Sequence, residues 1–95
     1  MKIIRSPSVL RENLNNLENI SLIPTMGNLH EGHLSLIKEA KKLSKNIVLT
    51  IFINPIQFNS KHDLENYPKT LKQDISLLKD IGVAILFTPS TKDIF

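Results

Sequence analysis

Two apolar segments constrain the fold of this chain more than any other feature of its sequence. Residues 47–53 read IVLTIFI and residues 83–87 read VAILF, and each is soon followed by proline. Nearly continuous aliphatic and β-branched runs of this kind are typical of strands that a parallel sheet buries on both faces. They predict an α/β fold built around a parallel sheet.

The first half of the chain alternates helix and strand signals. Ser6 is a favourable N-cap and Pro7 suits the first position of a helix. The apolar residues that follow at helical spacing are Leu10, Leu14 and Leu17. Residues 20–23 (ISLI) then predict a short strand.

A second helix is predicted from near Leu29 to about Ser44, with Asn28 as its N-cap and Glu31 reaching back to that residue. His30 is expected at the edge of its buried face. The residues predicted to form that face are His33, Leu36, Ile37, Ala40 and Leu43.

A third helix is predicted before the second apolar run. Thr70 and Gln73 resemble a capping box, and Gly82 is expected to end the helix. Asp74 and Lys79 are placed on its solvent face. Its inner stripe is predicted to consist of Leu71, Ile75 and Leu78. Residues 56–69 are expected to form a polar loop.

These elements give three parallel strands, which is a narrow sheet for an α/β fold. An open sheet of this class usually has about five or six strands. We therefore expect residues 1–95 to be the N-terminal portion of a larger Rossmann-like nucleotide-binding domain, without its C-terminal domain.

Composition excludes several classes of function. The chain has no cysteine, so it has neither disulfides nor thiolate metal ligands. No apolar run is long enough to span a membrane. The net charge is +3, and the lysines clustered at positions 38–45 read as a solvated helix end without interleaved aromatic residues. We expect a cytoplasmic protein that binds neither nucleic acid nor membrane.

The strongest functional signal is residues 23–34 (IPTMGNLHEGHL), which read as a strand end, a glycine turn and a helix start. Backbone N–H groups and the positive end of the dipole at a helix N-terminus favour phosphate binding. His30 and His33 are three residues apart, so both rings are expected in the crevice above the strand ends. Gly32 is expected to let the helix approach a ligand closely. A metal site is less favoured because no third ligand is close.

A second group of polar residues follows the first apolar run. Asn54 and Gln57 carry amides that donate and accept hydrogen bonds, which suits a ligand with hydroxyls and a carboxylate. A turn residue and a surface glutamine would explain them equally well. Met26 and Phe58 could wall a small apolar pocket, although such residues are more often part of a core.

Several motifs occur together and in order. They are residues 24–27 (PTMG), His30-x-Gly32-His33, residues 51–58 (IFINPIQF), residues 63–70 (DLENYPKT) and Asp74. In this combination the chain resembles the N-terminal part of the pantoate–β-alanine ligase family, which has an HxGH nucleotidyltransferase-type fold. The resemblance covers about residues 22–95. Lys69 stands where the family usually has arginine, and His62 stands where an acidic residue is common.

The resemblance implies an enzyme that condenses pantoate with β-alanine, using ATP and Mg²⁺, through a pantoyl adenylate. The residues that it implies in ATP binding are Met26, Gly27, Asn28, Leu29, His30, Glu31, Gly32 and His33. Within that set, His33 would be the proton donor and His30 would hold the phosphates. Gln57 would bind pantoate and, by extension, β-alanine. Pro24, Thr25, Met26 and Asn54 would line that pocket, and no residue is assigned to a metal.

The family's enzymes are much longer and typically homodimeric. They carry further segments that grip ATP and pantoate, so we expect the 95-residue piece alone not to catalyse the ligation. Two alternatives stay open. One is another HxGH enzyme, such as a cytidylyl- or pantetheine-phosphate adenylyltransferase, and the other is a non-catalytic nucleotide-binding module.

Overall fold

The computed structural model describes residues 1–52 and 67–89, with side chains in the second range from Thr70 onward. In chain order the elements are β1 (Lys2–Ile4), α1 (Pro7–Leu14), β2 (Ile20–Thr25), α2 (Glu31–Leu43), β3 (Asn46–Ile51), α3 (Tyr67–Ile81) and β4 (Ile85–Phe87). The sheet has the strand order β1-β4-β3-β2, and every neighbouring pair is parallel. The predicted parallel α/β architecture is confirmed.

Strand β3 shows why a continuous apolar run marks this fold. Successive side chains of a strand point to opposite faces. Ile47, Leu49 and Ile51 are 0–1% exposed and pack on one face, whereas Val48, also 0% exposed, packs on the other. Helices cover both faces, so the buried positions of this strand favour apolar residues, whereas Asn46 and Thr50 are only partly buried.

The two faces are covered by different helices. Helix α1 lies over the face of Val48, where its apolar residues pack against Ile4, Ile85 and Phe87. Helices α2 and α3 cover the opposite face around Leu86. The residues that these two helices contribute to that core are Leu34, Ile37, Ala40, Leu71, Ile75, Leu77, Leu78 and Ile81.

The expected three-stranded sheet is wrong, because residues 2–4 form an additional edge strand. Its register pairs Lys2, Ile3 and Ile4 with β4. Strand β2, at the opposite edge, also runs further than expected and includes Pro24. Proline lacks the N–H that a central strand needs, but an edge strand tolerates it.

Helix α2 begins later than predicted, and its buried face agrees with the prediction only in part. Its N-cap is His30 rather than Asn28, and it ends before Ser44 as expected. Leu36 and Leu43 are 54% and 81% exposed. Since each helical residue turns by about 100°, Leu36 points well away from the buried Ile37. Ile37 and Ala40 pack in the core as predicted, and Leu34 joins them in place of Leu36 and Leu43.

Helix α3 begins by Tyr67, before the predicted capping box at Thr70. Gly82 ends it as expected, with a left-handed φ of 89° that favours glycine. The backbone N–H groups of Gly82 and Val83 both donate to the carbonyl of Leu78, at 3.1 and 3.2 Å. Lys41 of α2 donates from Nζ to the carbonyl of Ile81 at 2.6 Å, which joins the two helices.

Two further predictions concern loops and membranes. Residues 67–69 of the predicted polar loop at 56–69 belong to α3, so the prediction is wrong there, and the rest of the loop falls outside the described residues. Within residues 1–52 and 67–89, no helix combines the length and the apolar character needed to cross a bilayer.

Candidate functional site

A cleft of about 510 Å³ opens at the carboxyl ends of β2 and β3. Its lining consists of Pro24, Thr25, Met26, Gly27, His33, Thr50 and Phe52. Ligands of open α/β sheets bind beyond the carboxyl ends of the strands. The cleft therefore lies where the sequence placed the crevice, and five of its lining residues come from the segment between Pro24 and His33.

The turn that follows β2 is held tightly to the neighbouring strand. The hydroxyl of Thr25 donates to the carbonyl of Thr50 at 3.0 Å and accepts the N–H of Gly27 at 3.2 Å. Gly27 and Asn28 then take left-handed φ angles of 86° and 53°. Glycine adopts this conformation without a steric penalty, and asparagine tolerates it better than most residues.

The two histidines cap the helix with their own side chains. His30 is the N-cap residue, and its Nδ1 accepts the backbone N–H of Gly32 at 3.0 Å. The Nδ1 of His33 accepts the backbone N–H of His30 at 3.2 Å. The ring centroids are 4.2 Å apart, with the planes tilted by 52°. The pair thus forms a reciprocal capping box made of imidazoles.

These hydrogen bonds assign the tautomer of both rings. A nitrogen that accepts a hydrogen bond carries no proton, so a neutral imidazole in this arrangement has its hydrogen on Nε2. Each ring therefore uses Nδ1 to hold the backbone and keeps an N–H donor on its far side. His33 is half-buried and lines the cleft, whereas His30 is exposed and is not among the lining residues, so the expectation that both rings lie in the crevice holds for His33 only.

The surroundings of His33 favour its neutral form. Burial lowers the pKa of the His33 imidazole, and the neighbouring His30 lowers it further, while Asp74 acts in the opposite direction. Protonation at Nδ1 would also remove the hydrogen bond that His33 accepts from the backbone. The structure therefore presents His33 as a neutral hydrogen-bond donor.

Gly32 makes room for a side chain of the protein. A Cβ at this position would lie 2.9 Å from Cε1 and 3.2 Å from Nδ1 of His30. Any side chain here would push the imidazole off the helix end. That Gly32 lets the helix approach a ligand stays a prediction, and the close approach that the structure shows is with His30.

Asp74 was predicted on the solvent face of α3, and this prediction is wrong. Its side chain is buried, with 2% exposure. Its two carboxylate oxygens accept the backbone N–H groups of Asn28 and Leu29, each at 2.9 Å. The sequence offered no local signal for this contact, because the partners are 45 and 46 residues apart. Lys79 is exposed as expected.

The same contact corrects the expectation that backbone donors of this turn receive a phosphate. The N–H groups of Asn28 and Leu29 are engaged by Asp74, and that of Gly27 by Thr25. A carboxylate of the protein thus occupies the place of an anion at this turn. The Nε2–H groups of the two imidazoles are the ring donors that the capping hydrogen bonds do not use.

The remaining predicted site residues fall into three groups. Leu29 is 8% exposed and its side chain belongs to the core. Asn28 and Glu31 are exposed and lie outside the cleft lining. Asn54 and Gln57 lie outside the described residues. The sequence missed Thr50 as a lining residue, although its position near the end of a core strand is a usable signal.

The part of the chain that the structure describes does not assemble a metal centre by itself. In residues 1–52 and 67–89 no three side chains from histidine, aspartate and glutamate come together as metal ligands.

A parallel α/β sheet with a His-x-Gly-His helix start at the strand ends defines the class of HxGH nucleotidyltransferase-type folds. The family model of pantoate–β-alanine ligase matches residues 2–95. The chain belongs to this family.

Individual relatives agree with this assignment. The pantothenate synthetase of Acinetobacter baylyi is 55% identical over 76 residues, which are 80% of this chain and 27% of that protein. The pantothenate synthetase of Neisseria meningitidis serogroup A is 45% identical over 95 residues, which are 100% of this chain and 34% of that protein. The chain thus spans about a third of the length of the relatives that it matches.

Solved structures give the same result. The Francisella tularensis pantoate–β-alanine ligase, crystallised with β,γ ATP and β-alanine, superposes with a TM-score of 0.85 at 43% identity, covering 99% of this chain and 37% of that one. The Thermus thermophilus pantothenate synthetase gives a TM-score of 0.81 at 35% identity, covering 100% of this chain and 34% of that one.

Proposed function

We propose that this chain forms the ATP- and pantoate-binding part of a pantoate–β-alanine ligase. The reaction condenses pantoate with β-alanine through a pantoyl adenylate and releases AMP and pyrophosphate. The observation that carries the proposal is the imidazole pair at the head of α2, with His33 lining the cleft. Family membership and the β,γ ATP bound to the Francisella tularensis ligase support it.

The proposed nucleotide site is the segment from Met26 to His33. Its donors toward the phosphates are the Nε2–H groups of His30 and His33, since Nδ1 of each ring is engaged by the backbone. A neutral imidazole donates one hydrogen bond and retains its cap while doing so. In this proposal neutral His33 acts as a hydrogen-bond donor to the phosphates. Proton donation to the leaving group would require His33 to take up a proton at Nδ1 first, which would break the hydrogen bond that it accepts from the backbone N–H of His30.

Two displacements make up the proposed reaction. The pantoate carboxylate attacks the α-phosphorus of ATP, a phosphorus–oxygen bond forms, and pyrophosphate leaves with the electron pair of the broken bond. The amine of β-alanine then attacks the acyl carbon, loses a proton and expels AMP. A carboxylate needs no base to become a nucleophile, so the protein's part in the first step is to stabilise charge on the phosphate oxygens.

Pantoate is proposed to occupy the strand end of the cleft. Pro24, Thr25 and Met26 line this side, and Met26 is 45% exposed, so its apolar side chain can contact a ligand. The amides of Asn54 and Gln57, which directly follow the first apolar run in the sequence, are proposed to complete the pocket and to orient the carboxylate. Gln57 is further proposed to adjoin the β-alanine site.

Mg²⁺ is proposed to enter with ATP. The described residues hold no cluster that would bind it by themselves, and Mg²⁺ is commonly bound through substrate phosphates and one or two carboxylates. When bound it would neutralise charge on the phosphates. A homodimer and a cytoplasmic location are proposed from family membership alone.

The product of the complete reading frame that contains these 95 residues provides the test. We expect it to form pantothenate, AMP and pyrophosphate from ATP, pantoate and β-alanine. His33→Ala is expected to lower kcat by about 10²–10³-fold, which is typical for loss of one donor to developing charge. Lys38→Ala, on the exposed face of the same helix, should leave kcat unchanged.

Two results would overturn the proposal. One is adenylyl transfer to phosphopantetheine in place of pantoate, which would assign the chain to another nucleotidyltransferase. The other is nucleotide binding without any turnover, which would make it a non-catalytic module.

A further inference from the structure

The carboxylate of Asp74 is placed where an anionic ligand could otherwise bind. It comes from α3, is 2% exposed, and accepts one backbone N–H with each oxygen, both at 2.9 Å. A buried carboxylate is costly unless it is paired or hydrogen-bonded. Two charge-assisted hydrogen bonds at this distance are strong ones, so the contact is a built feature of the fold.

The turn that Asp74 binds has a strained backbone conformation. Gly27 and Asn28 are both left-handed, and a non-glycine residue in this region carries strain on the order of 1 kcal/mol. Successive residues in such a turn direct their N–H groups into a common concavity that suits an anion. Asp74 fills this concavity from within the protein.

The held turn leads directly into the catalytic helix start. Leu29, whose N–H is bound to Asp74, is followed immediately by the N-cap His30. The N–H of His30 is in turn accepted by His33. Asp74 is therefore linked to His30 by one hydrogen bond, to Leu29, and the peptide bond that follows. One further hydrogen bond, from the backbone of His30, links it to the ring of His33.

We infer that Asp74 is a positioning residue, which holds the Asn28–Leu29 turn so that both imidazoles stay beside the cleft. This inference rests on the proposed function for its consequence in catalysis. Asp74 acts through the turn and needs no contact with ATP or pantoate. Burial and then His30 lower the pKa of His33, whereas Asp74 raises it. The contribution of Asp74 agrees with its position close to His33.

Asp74→Asn tests the inference because it conserves size but has only one acceptor oxygen for the two N–H groups. In the product of the complete reading frame, we expect kcat to fall by about 10²-fold, as for a misplacement of about 1 Å, with the KM for β-alanine nearly unchanged. The pKa of His33, followed by NMR titration, should also fall. Asp80→Asn, an exposed aspartate on the same helix, should change neither quantity.

Amide hydrogen exchange in the wild-type protein tests the same contact without any substitution. The amides of Asn28 and Leu29 should exchange far more slowly than those of an open loop. Loop-like exchange at both, or a folded Asp74→Asn variant with wild-type kcat and wild-type His33 pKa, would overturn the inference. An inactive wild type would refute the proposed function alone, since the exchange and titration results would still decide the role of Asp74.

Discussion

At the scale of single residues, the two ring nitrogens of each histidine have different roles. Nδ1 of each ring accepts a backbone N–H at the head of α2, and this fixes the orientation of the ring. Nε2 is then the nitrogen that carries the proton. A neutral ring can therefore cap the helix through Nδ1 and donate to a ligand through Nε2 at the same time. A protonated ring can still donate to a ligand, but its Nδ1 no longer accepts the backbone N–H, so the cap is lost.

This loss of the cap predicts how stability depends on pH. The pKa of His33 is lowered from its usual 6.5, first by burial and then by His30. As pH falls through 6.5, the unfolded chain takes up a proton that the folded chain resists, so the free energy of unfolding decreases. The decrease ends once the pH is below the folded pKa, and its slope cannot exceed about 1.4 kcal/mol per pH unit for one proton.

Urea unfolding of the wild type and of His33→Gln between pH 5 and 8 measures this effect. Glutamine at the third helical position still reaches the N-cap N–H, but it does not titrate. The variant should therefore lose the His33 part of the pH slope, whereas Ser35→Ala, at an exposed position of the same helix, should keep it. Parallel slopes in wild type and His33→Gln would show that His33 is not the titrating group.

At the scale of elements, β1 shows how little sequence can define a strand. It has three residues, and of these Ile4 is buried at 6% exposure while Ile3 is 43% exposed. Its stability comes from pairing with β4 and from the packing of Ile4 under α1. This edge of the sheet therefore depends on the single side chain of Ile4, whereas a longer strand would share the packing among several side chains.

Two adjacent substitutions test that dependence. Ile4→Ala should lower the free energy of unfolding by about 2–4 kcal/mol, as for other buried isoleucines. Ile3→Ala changes the same residue type on the opposite face and should cost less than about 1 kcal/mol. Chemical denaturation gives both values, and equal small losses would mean that residues 2–4 do not form part of the sheet.

Local patterns predicted most of the core elements, because each depends on residues close in sequence. The run at β3 and the glycine that ends α3 are of this kind. The errors arise where distant parts of the chain decide. Asp74 was predicted on the surface, but the fold brings it to Asn28. Residues 2–4 are too few to show a strand pattern, and their pairing with β4 makes them a strand. The cap of α2 was missed because histidine is not a usual capping residue.

At the scale of the whole molecule, the candidate site joins three segments that are far apart in sequence. The segment from the end of β2 to His33 forms one wall of the cleft. Thr50 of β3 and Phe52, just after β3, also line it, and α3 supplies Asp74 behind the turn. The sheet aligns the strand ends, and α3 packs against the same core as α2. The chain spans about a third of its relatives, so in the proposed ligase this site is one side of a larger one.

The most direct test of the account is the protonation of the two imidazoles, observed by NMR with ¹⁵N-labelled histidine. At pH 7.5 we predict that His30 and His33 both carry their hydrogen on Nε2 and leave Nδ1 unprotonated. Addition of ATP with Mg²⁺ should shift the Nε2 resonance of each ring. A hydrogen on Nδ1 of either ring, or Nε2 resonances that do not move at saturating ATP, would contradict the account.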